Sequence, residues 1–244
     1  PKRRSAPQRY EVVNLLASAE RISAADVCYF TGASMRTLRA LEKSGLVAFS
    51  QEETLRLSPP EQVEPGPAII LSGEQQAAFD QILSLTEKPA AQAALLQGVT
   101  GSGKTQVYLR LVQEVLARGK DAMVLVPEIA LTPQVLQLFA SHFKDQVDVL
   151  HSSLRVGERY DEYKRIRAGS ARVVLGTRSA VFAPARDLGL IIVDEEQEHT
   201  YKSENAPRYH AREIAIYRGL KENALVLLGS ATPSMESMYQ ARSG

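Results

Sequence analysis

The sequence predicts an α/β protein in which a mostly parallel, doubly wound sheet is preceded by a small winged-helix domain. Three observations lead to this prediction. Most of six short apolar runs are separated by helix-like stretches such as 105–118, 132–143 and 156–168, as in parallel sheets covered on both faces. The six runs are 93–97, 122–126, 147–150, 172–176, 190–193 and 224–228. A segment rich in proline at residues 59–67 divides the chain. Before it, residues 1–58 contain a helix, a turn with glycine and a second helix, followed by two strand-like runs.

The composition is that of an ordinary globular protein. Of the 244 residues, 44% are apolar and 23% are charged, and the 29 basic and 28 acidic side chains nearly cancel. The one cysteine, Cys28, excludes a disulfide framework or a cysteine zinc site within this chain and favours the reducing cytoplasm. No apolar run approaches the roughly 20 residues of a membrane helix. Because the chain starts with Pro1, we expect it to be a piece of a longer protein.

The first domain, residues 1–58, is predicted to hold three short helices and a two-stranded wing. The apolar pattern of residues 8–17 indicates the first helix, and Ser23 and Ser34 are candidate caps of the second and third. Two short apolar runs on either side of a polar turn, at 46–49 and 54–57, are the expected strands of the wing.

The third helix has a basic face. Arg36, Arg39 and Lys43 follow one another at spacings of three and four, which places them on one side of a helix. This face is predicted to contact duplex DNA, and the alternative is a solvated face used for protein contacts. The apolar residues of the helix are expected to pack inward: Met35, Leu38 and Leu41.

A phosphate-binding loop is the strongest single signal. Residues 98–105 read Gly-Val-Thr-Gly-Ser-Gly-Lys-Thr and match G-x-x-x-x-G-K-[ST] between a predicted strand and a predicted helix. Glycines let main-chain N–H groups surround phosphate oxygens at a helix N-terminus. Lys104 is expected to contact the β- and γ-phosphates of ATP, and Thr105 to ligate Mg²⁺. The other loop residues predicted to bind the nucleotide are Gly98, Thr100, Gly101, Ser102 and Gly103.

A second candidate element is an apolar strand that ends in carboxylates. Residues 190–193 are apolar and are followed directly by Asp194 and Glu195. In a parallel sheet the carboxyl ends of the strands border the ligand crevice. Asp194 is therefore expected to hold Mg²⁺, directly or through water, and Glu195 to polarise the attacking water. The alternative for this stretch is a solvated acidic turn.

These motifs occur in the order of the helicase motifs of superfamily 2, with a third at residues 229–234, Gly-Ser-Ala-Thr-Pro-Ser. More narrowly, the chain resembles the bacterial primosomal replication-restart DNA helicases. Four stretches carry that closer match: residues 125–134, 176–184, 201–202 and 207–213. The resemblance implies a RecA-like first helicase lobe at 68–244, after a winged helix at 1–58 and a linker at 59–67. One position departs from the family, because Gln197 stands where it usually has histidine.

The resemblance also implies roles for residues outside the phosphate site. Gln75 would read the adenine edge of ATP, and Ser230 and Thr232 would couple the nucleotide state to the DNA strand. The residues that would contact single-stranded DNA are Thr132, Thr177, Arg178, Tyr201, Lys202, Arg208 and Tyr209. Aromatic rings with neighbouring cations suit stacking on unpaired bases, so Tyr201 and Tyr209 are expected to stack. The alternative for this loop is a mobile surface loop with buried tyrosines.

The function implied by the resemblance is that of an ATP-dependent 3′-to-5′ DNA helicase. It would act at branched DNA, such as a stalled replication fork, to restart replication and load the primosome. Expected partners are branched and single-stranded DNA, single-stranded-DNA-binding protein and primosome proteins. Zinc is expected in the parent protein, outside this chain. We expect a monomer with no membrane contact. A second lobe would supply arginine fingers, so this piece is expected to bind nucleotide weakly and to hydrolyse it very slowly.

Three alternatives remain at the level of the sequence. An RNA helicase is one, because superfamily 2 motifs alone do not separate DNA from RNA. A winged-helix DNA-binding regulator with an NTPase switch is the second, and it would bind a specific duplex sequence. A non-catalytic scaffold is the third, and its melting temperature would not change with Mg-nucleotide.

Overall fold

The computed structural model describes residues 7–18, 22, 24–50, 64–88, 92–204 and 206–243. These residues belong to two compact units. One unit contains the first three helices, and the other contains a six-stranded sheet with its covering helices.

The helices of the first unit are α1 (Pro7–Ser18), α2 (Ala24–Thr31) and α3 (Met35–Lys43). They surround a small apolar core to which Val12 and Val27 contribute. Ser34 caps α3 as predicted, because its side chain accepts a hydrogen bond from the main-chain N–H of Thr37.

The structure bears on three expectations for this unit. The basic residues of α3 are exposed, while Leu38 and Leu41 are buried. The expectation that Met35 packs inward is wrong: its side chain is 44% exposed, because it is the first residue of the helix and precedes the buried stripe. Residues 46–49 form no strand, and both the partner strand at 54–57 and the cap Ser23 lie outside the described residues. The wing therefore stays a prediction.

The strands of the second unit are parallel throughout the described residues, in the order β1-β6-β5-β2-β4-β3. This arrangement confirms the predicted parallel α/β fold. Each apolar run of the sequence coincides with a strand, and β2 to β6 are buried along nearly their whole length. The strands are β1 (Ala93–Gln97), β2 (Asp121–Leu125), β3 (Val147–Leu150), β4 (Val173–Gly176), β5 (Leu188–Val193) and β6 (Leu225–Ser230).

Helices cover both faces of this sheet. Along β2, Ala122 and Val124 belong to one apolar cluster, whereas Met123 and Leu125 belong to the other. No helix within the described ranges is long and apolar enough to cross a membrane. The helices are α4 (Gly73–Leu85), α5 (Lys104–Ala117), α6 (Pro133–Phe143), α7 (Val156–Ala168), α8 (Ala211–Glu222) and α9 (Met235–Ser243).

The carboxyl ends of β1, β6 and β5 are neighbours in the sheet, and they position the candidate site. The main-chain N–H of Gly98, after β1, donates to the carbonyl oxygen of Ser230 in β6 at 3.0 Å. The N–H of Glu196, after β5, donates to the carbonyl oxygen of Gly229 at 3.0 Å. Three segments that are distant in the sequence are thereby joined at one edge of the sheet.

Candidate nucleotide-binding site

The phosphate loop has the backbone that its glycines allow. Gly101 and Gly103 have φ angles of 81° and 82°, in the left-handed region that favours glycine. Gly103 is also the N-cap of α5, so Lys104 is the first residue of that helix. A Cβ atom at Gly103 would collide with the side-chain amide of Gln75. The loop therefore directs the first main-chain N–H groups of α5 as an anion site requires.

Lys104 links this loop to the acidic strand end. Its Nζ atom donates to the carbonyl oxygen of Gly98 at 2.8 Å and lies 3.5 Å from Oε1 of Glu195. The Lys104 side chain is 9% exposed and that of Glu195 is 29% exposed. The structure thus brings the predicted lysine and the predicted carboxylates into one cleft.

Asp194 is held at two atoms by two buried tyrosines. Its Oδ1 atom accepts a hydrogen bond from the hydroxyl of Tyr108 at 2.9 Å, and its main-chain oxygen accepts one from Tyr201 at 2.7 Å. Burial raises the pKa of Asp194, and the hydrogen bond from Tyr108 offsets part of that increase. Tyr108 and Thr105 both lie on α5 at a spacing of three, so one helix carries the hydroxyl expected to bind Mg²⁺ and the group that orients Asp194.

A chain of hydrogen bonds leads from Glu195 to the segment at 229–234. Nε2 of Gln197 donates to Oε2 of Glu195 at 2.9 Å, and the Ser230 hydroxyl donates to Oε1 of Gln197 at 2.5 Å. The main-chain N–H of Thr232 donates to the Ser230 hydroxyl oxygen at 2.9 Å. Gln197, the departure from the family pattern, therefore uses both ends of its amide. Ser230 and Thr232 lie at the end of this chain of hydrogen bonds, as a link between the nucleotide state and the DNA strand would require. Their coupling role stays a prediction.

A second hydrogen-bond network is centred on Glu196, and none of the sequence-based predictions included it. Oε2 of this buried carboxylate accepts from Arg212 at 2.6 Å and from the Ser237 hydroxyl at 3.0 Å, and Oε1 accepts from the main-chain N–H of Ser234 at 2.7 Å. Burial acts to raise the pKa of Glu196, but these hydrogen bonds outweigh it and the pKa is lowered. The available signal was three consecutive acidic residues, since neighbouring carboxylates repel unless one of them has a cationic partner.

Gln75 lies against the phosphate loop, where both ends of its side-chain amide have partners. Oε1 accepts from the main-chain N–H of Ser72 at 2.9 Å, and Nε2 donates to the carbonyl oxygen of Ser102 at 2.8 Å. The first contact belongs to a capping box at the start of α4. Adenine recognition by Gln75 stays a prediction, and it would require an exchange of these contacts.

The polar groups expected to meet the DNA backbone are partly engaged within the protein. Thr132 caps α6 by accepting from the N–H of Val135 at 3.4 Å, and the Thr177 residue is 2% exposed. Nη1 of Arg178 donates to the carbonyl oxygens of Lys202 at 2.6 Å and Thr200 at 3.3 Å. Arg178 thereby joins the end of β4 to the loop after β5.

In the loop between β5 and α8, some of the residues predicted to contact DNA are accessible and one is fully buried. Lys202 and Arg208 are exposed, and Tyr209 is half-buried. Tyr201 is fully buried. The expectation that Tyr201 offers its ring to a base does not fit this geometry, because its ring packs in the core and its hydroxyl holds Asp194.

Comparison with known proteins places the chain in a family. Residues 72–241 match the DEAD/DEAH box helicases, and this match covers more than half of the chain. The chain therefore belongs to the DEAD/DEAH box helicase family, which confirms the resemblance to helicases.

Among its relatives are replication restart proteins. The chain is 45% identical to replication restart protein PriA of Bacillus subtilis over 99% of this chain and 30% of that protein. It is 52% identical to PriA of Treponema pallidum over 69% of this chain and 25% of that protein. The chain thus spans less than a third of the length of these relatives. RecG bound to a three-way DNA junction matches 96% of this chain and 27% of its own, with a TM-score of 0.51 and 21% identity, a likeness of fold alone.

Proposed function

We propose that this chain is the nucleotide-binding lobe of an ATP-dependent DNA helicase, and that it binds ATP with Mg²⁺ between the phosphate loop and the acidic end of β5. The proposal rests on one observation: Nζ of Lys104 lies 3.5 Å from Oε1 of Glu195 at the carboxyl edge of the sheet. A cation on a glycine loop beside two carboxylates is the arrangement that a metal-bound triphosphate requires.

Each residue of the site has a defined task in this proposal. Main-chain N–H groups at the start of α5 bind phosphate oxygens, and Lys104 exchanges its contact with Gly98 for the β- and γ-phosphates. The Thr105 hydroxyl and the Asp194 carboxylate are hard oxygen ligands, which fit Mg²⁺. When bound, Mg²⁺ neutralises charge that develops on the phosphates. Glu195, held by Gln197, orients the attacking water.

The segment at 229–234 transmits the state of the phosphate site. Movement of Glu195 would act through Gln197 on Ser230, which in turn holds the main chain at Thr232. Single-stranded DNA would lie across the segments that follow β2, β4 and β5, because these all leave the sheet at the edge that carries the nucleotide. Opening and closing of the site would then advance the protein along one strand.

The biological setting is proposed from the relatives. The PriA relatives are named for replication restart, so we propose that this chain belongs to an enzyme that restarts replication at branched DNA. Translocation in the 3′-to-5′ direction, zinc elsewhere in the parent protein, and partnership with single-stranded-DNA-binding and primosome proteins follow from the same resemblance. The exposed basic face of α3 would contact the duplex arm of such DNA.

The experiment that tests the nucleotide site is Lys104→Ala, with Mg-nucleotide affinity measured by titration of a fluorescent ATP analogue. We expect the affinity to fall at least ~10-fold, because a hydrogen bond to a charged group contributes about 1.5–3 kcal/mol. Lys120→Ala is the matched control, since Lys120 pairs with Asp187 at the opposite edge of the sheet. Unchanged affinity in Lys104→Ala, with an intact circular dichroism spectrum, would show that the phosphate site is assigned wrongly.

A further inference from the structure

Phe182 is an exposed aromatic residue in a segment that is otherwise buried. It ends the short 3-10 helix that follows β4, Arg178–Phe182, and it is 47% exposed. Its neighbours Val181 and Ala183 are 0% and 1% exposed. A single exposed apolar side chain is common in folded proteins, so the case for a binding surface rests on how Phe182 is held and on its neighbours.

The main chain on both sides of Phe182 is fixed by α8. Nη1 of Arg218 donates to the carbonyl oxygen of Val181 at 2.7 Å and to that of Ala183 at 2.9 Å. Glu222 holds the same guanidinium group through contacts of 2.6 and 3.1 Å. The exposure of Phe182 is therefore built into the fold and does not arise from a loose loop.

Phe182 is also oriented by a second aromatic residue. The centroids of the Phe182 and Tyr209 rings are 4.9 Å apart, with an interplanar angle of 72°, which is a favourable edge-to-face arrangement. Two exposed cations, Lys202 and Arg208, belong to the same loop as Tyr209. Arg178 ties that loop to the Phe182 segment through the carbonyl oxygen of Lys202. Two aromatic rings in contact and two exposed cations thus belong to two segments that Arg178 joins, and these two segments are the candidate surface.

We propose that Phe182, supported by Tyr209, is a stacking site for an unpaired base of single-stranded DNA. This inference rests on the proposed function and adds Phe182, a residue outside the expected set of DNA contacts, as a side chain that stacks on a base. Every base has an apolar face that stacks on an aromatic ring, while neighbouring lysine and arginine side chains attract the phosphates. The exposed cations of the loop that carries Tyr209 favour a nucleic-acid strand over an apolar protein partner.

The test compares two oligonucleotides of equal length, an oligothymidylate and an abasic strand with the same sugar–phosphate backbone. Affinities are measured by fluorescence anisotropy for the unaltered chain, Phe182→Ala and Phe182→Leu. We expect the unaltered chain to bind the thymidylate strand roughly 5- to 100-fold more tightly than the abasic strand. Both variants are expected to lose this preference and to bind the abasic strand as the unaltered chain does. Phe182→Leu keeps an apolar side chain against Tyr209, so a loss of the base preference in this variant cannot be attributed to unfolding.

Tyr217→Ala is the matched control, because Tyr217 is 58% exposed and has a lysine near its ring, yet it lies on α8 outside the proposed surface. This variant is expected to keep the full preference for bases. An unchanged preference in Phe182→Leu would overturn the stacking site and leave the proposed helicase function standing. Failure of the unaltered chain to bind either strand would overturn the stacking site together with the DNA part of the proposed function.

Discussion

Gly229, which has no side chain, leaves room for the group that orients Asp194, the proposed metal ligand. A Cβ atom at this position would collide with the hydroxyl of Tyr108, the group that donates to Oδ1 of Asp194. Glycine at the start of the third motif therefore makes room for a tyrosine that comes from α5. The sequence requirement at residue 229 follows from the geometry of a carboxylate at residue 194.

The Tyr108 hydroxyl is expected to matter for Mg²⁺ and not only for stability. Tyr108→Phe should lower Mg-dependent nucleotide affinity several-fold, because Asp194 loses the hydrogen bond that orients its carboxylate. The measurement is nucleotide titration at a series of Mg²⁺ concentrations, where the deficit should be largest at low Mg²⁺.

Tyr201→Phe provides the control for this prediction. Tyr201 is equally buried, but it donates to the main-chain oxygen of Asp194 and not to the carboxylate. Its loss should lower the melting temperature and leave the Mg²⁺ dependence unchanged. Equal Mg²⁺ dependence in all three proteins would contradict the orienting role given to Tyr108.

Residues whose chemistry is local in the sequence could be predicted, and residues that act through tertiary contacts could not. Lys104 stands in a motif of eight residues, and Asp194 ends an apolar strand, so both were expected at the site. The contact between Glu196 and Arg212 joins a strand end to the start of α8, and no spacing rule connects the two. Tyr201 was expected to meet DNA because an aromatic residue near lysine suits stacking, but its burial is decided by packing in three dimensions.

At the scale of secondary-structure elements, the bounds predicted from the sequence were accurate for strands that are fully buried. The run at 147–150 is strand β3 as predicted, and α7 has the predicted bounds of 156 and 168. Strands buried on both faces are mostly apolar, and that makes them visible in the sequence even though β3 also contains the buried Asp148. Strand β6 extends two residues beyond the predicted end at 228, because Gly229 and Ser230 are polar or small but still pair with β1. The wing strand at 46–49 had no such burial to support it.

The contact between β3 and α7 predicts a pH dependence of stability. Asp148 is 1% exposed, and it lies 3.1 Å from a nitrogen of Arg165. Burial, with the neighbouring carboxyl of Glu162, raises the pKa of Asp148 to about 7. In the unfolded chain the pKa is near its ordinary value of about 4. Between these values the folded protein binds more protons than the unfolded one, so the free energy of unfolding should fall as the pH rises.

Asp148→Asn is expected to remove this slope. The free energy of unfolding is measured by urea unfolding for both proteins at pH 5 and at pH 8. The value for the variant minus that for the unaltered chain should be larger at pH 8 than at pH 5. Glu162→Gln removes the like-charged neighbour, so its slope should be shallower than that of the unaltered chain. Parallel pH profiles for the unaltered chain and Asp148→Asn would show that Asp148 does not titrate in this range.

At the scale of the whole molecule, we expect that this chain can bind the nucleotide without hydrolysing it at an appreciable rate. In the proposed function, a phosphate loop, a metal ligand and a water-orienting carboxylate all lie at the carboxyl ends of the strands of one sheet. Transfer of a γ-phosphate also requires a cation on its outer oxygens in the transition state, and an arginine finger is worth about 10³–10⁵ in rate. This chain spans less than a third of the length of its PriA relatives, so we propose that the arginine comes from a second lobe of the parent protein.

The chain alone is therefore expected to bind Mg-nucleotide to saturation and to hydrolyse it very slowly, even with single-stranded DNA present. Extension to the length of the relatives should raise the DNA-stimulated kcat by about 10³-fold or more, a larger factor than any gain in nucleotide affinity. Both quantities are measured on the same preparations. Glu195→Gln in the longer protein should keep nucleotide affinity and lose turnover, because the loop still binds phosphate while the water loses its orienting carboxylate. Rapid DNA-stimulated hydrolysis by the chain alone would show that one lobe supplies the whole catalytic set.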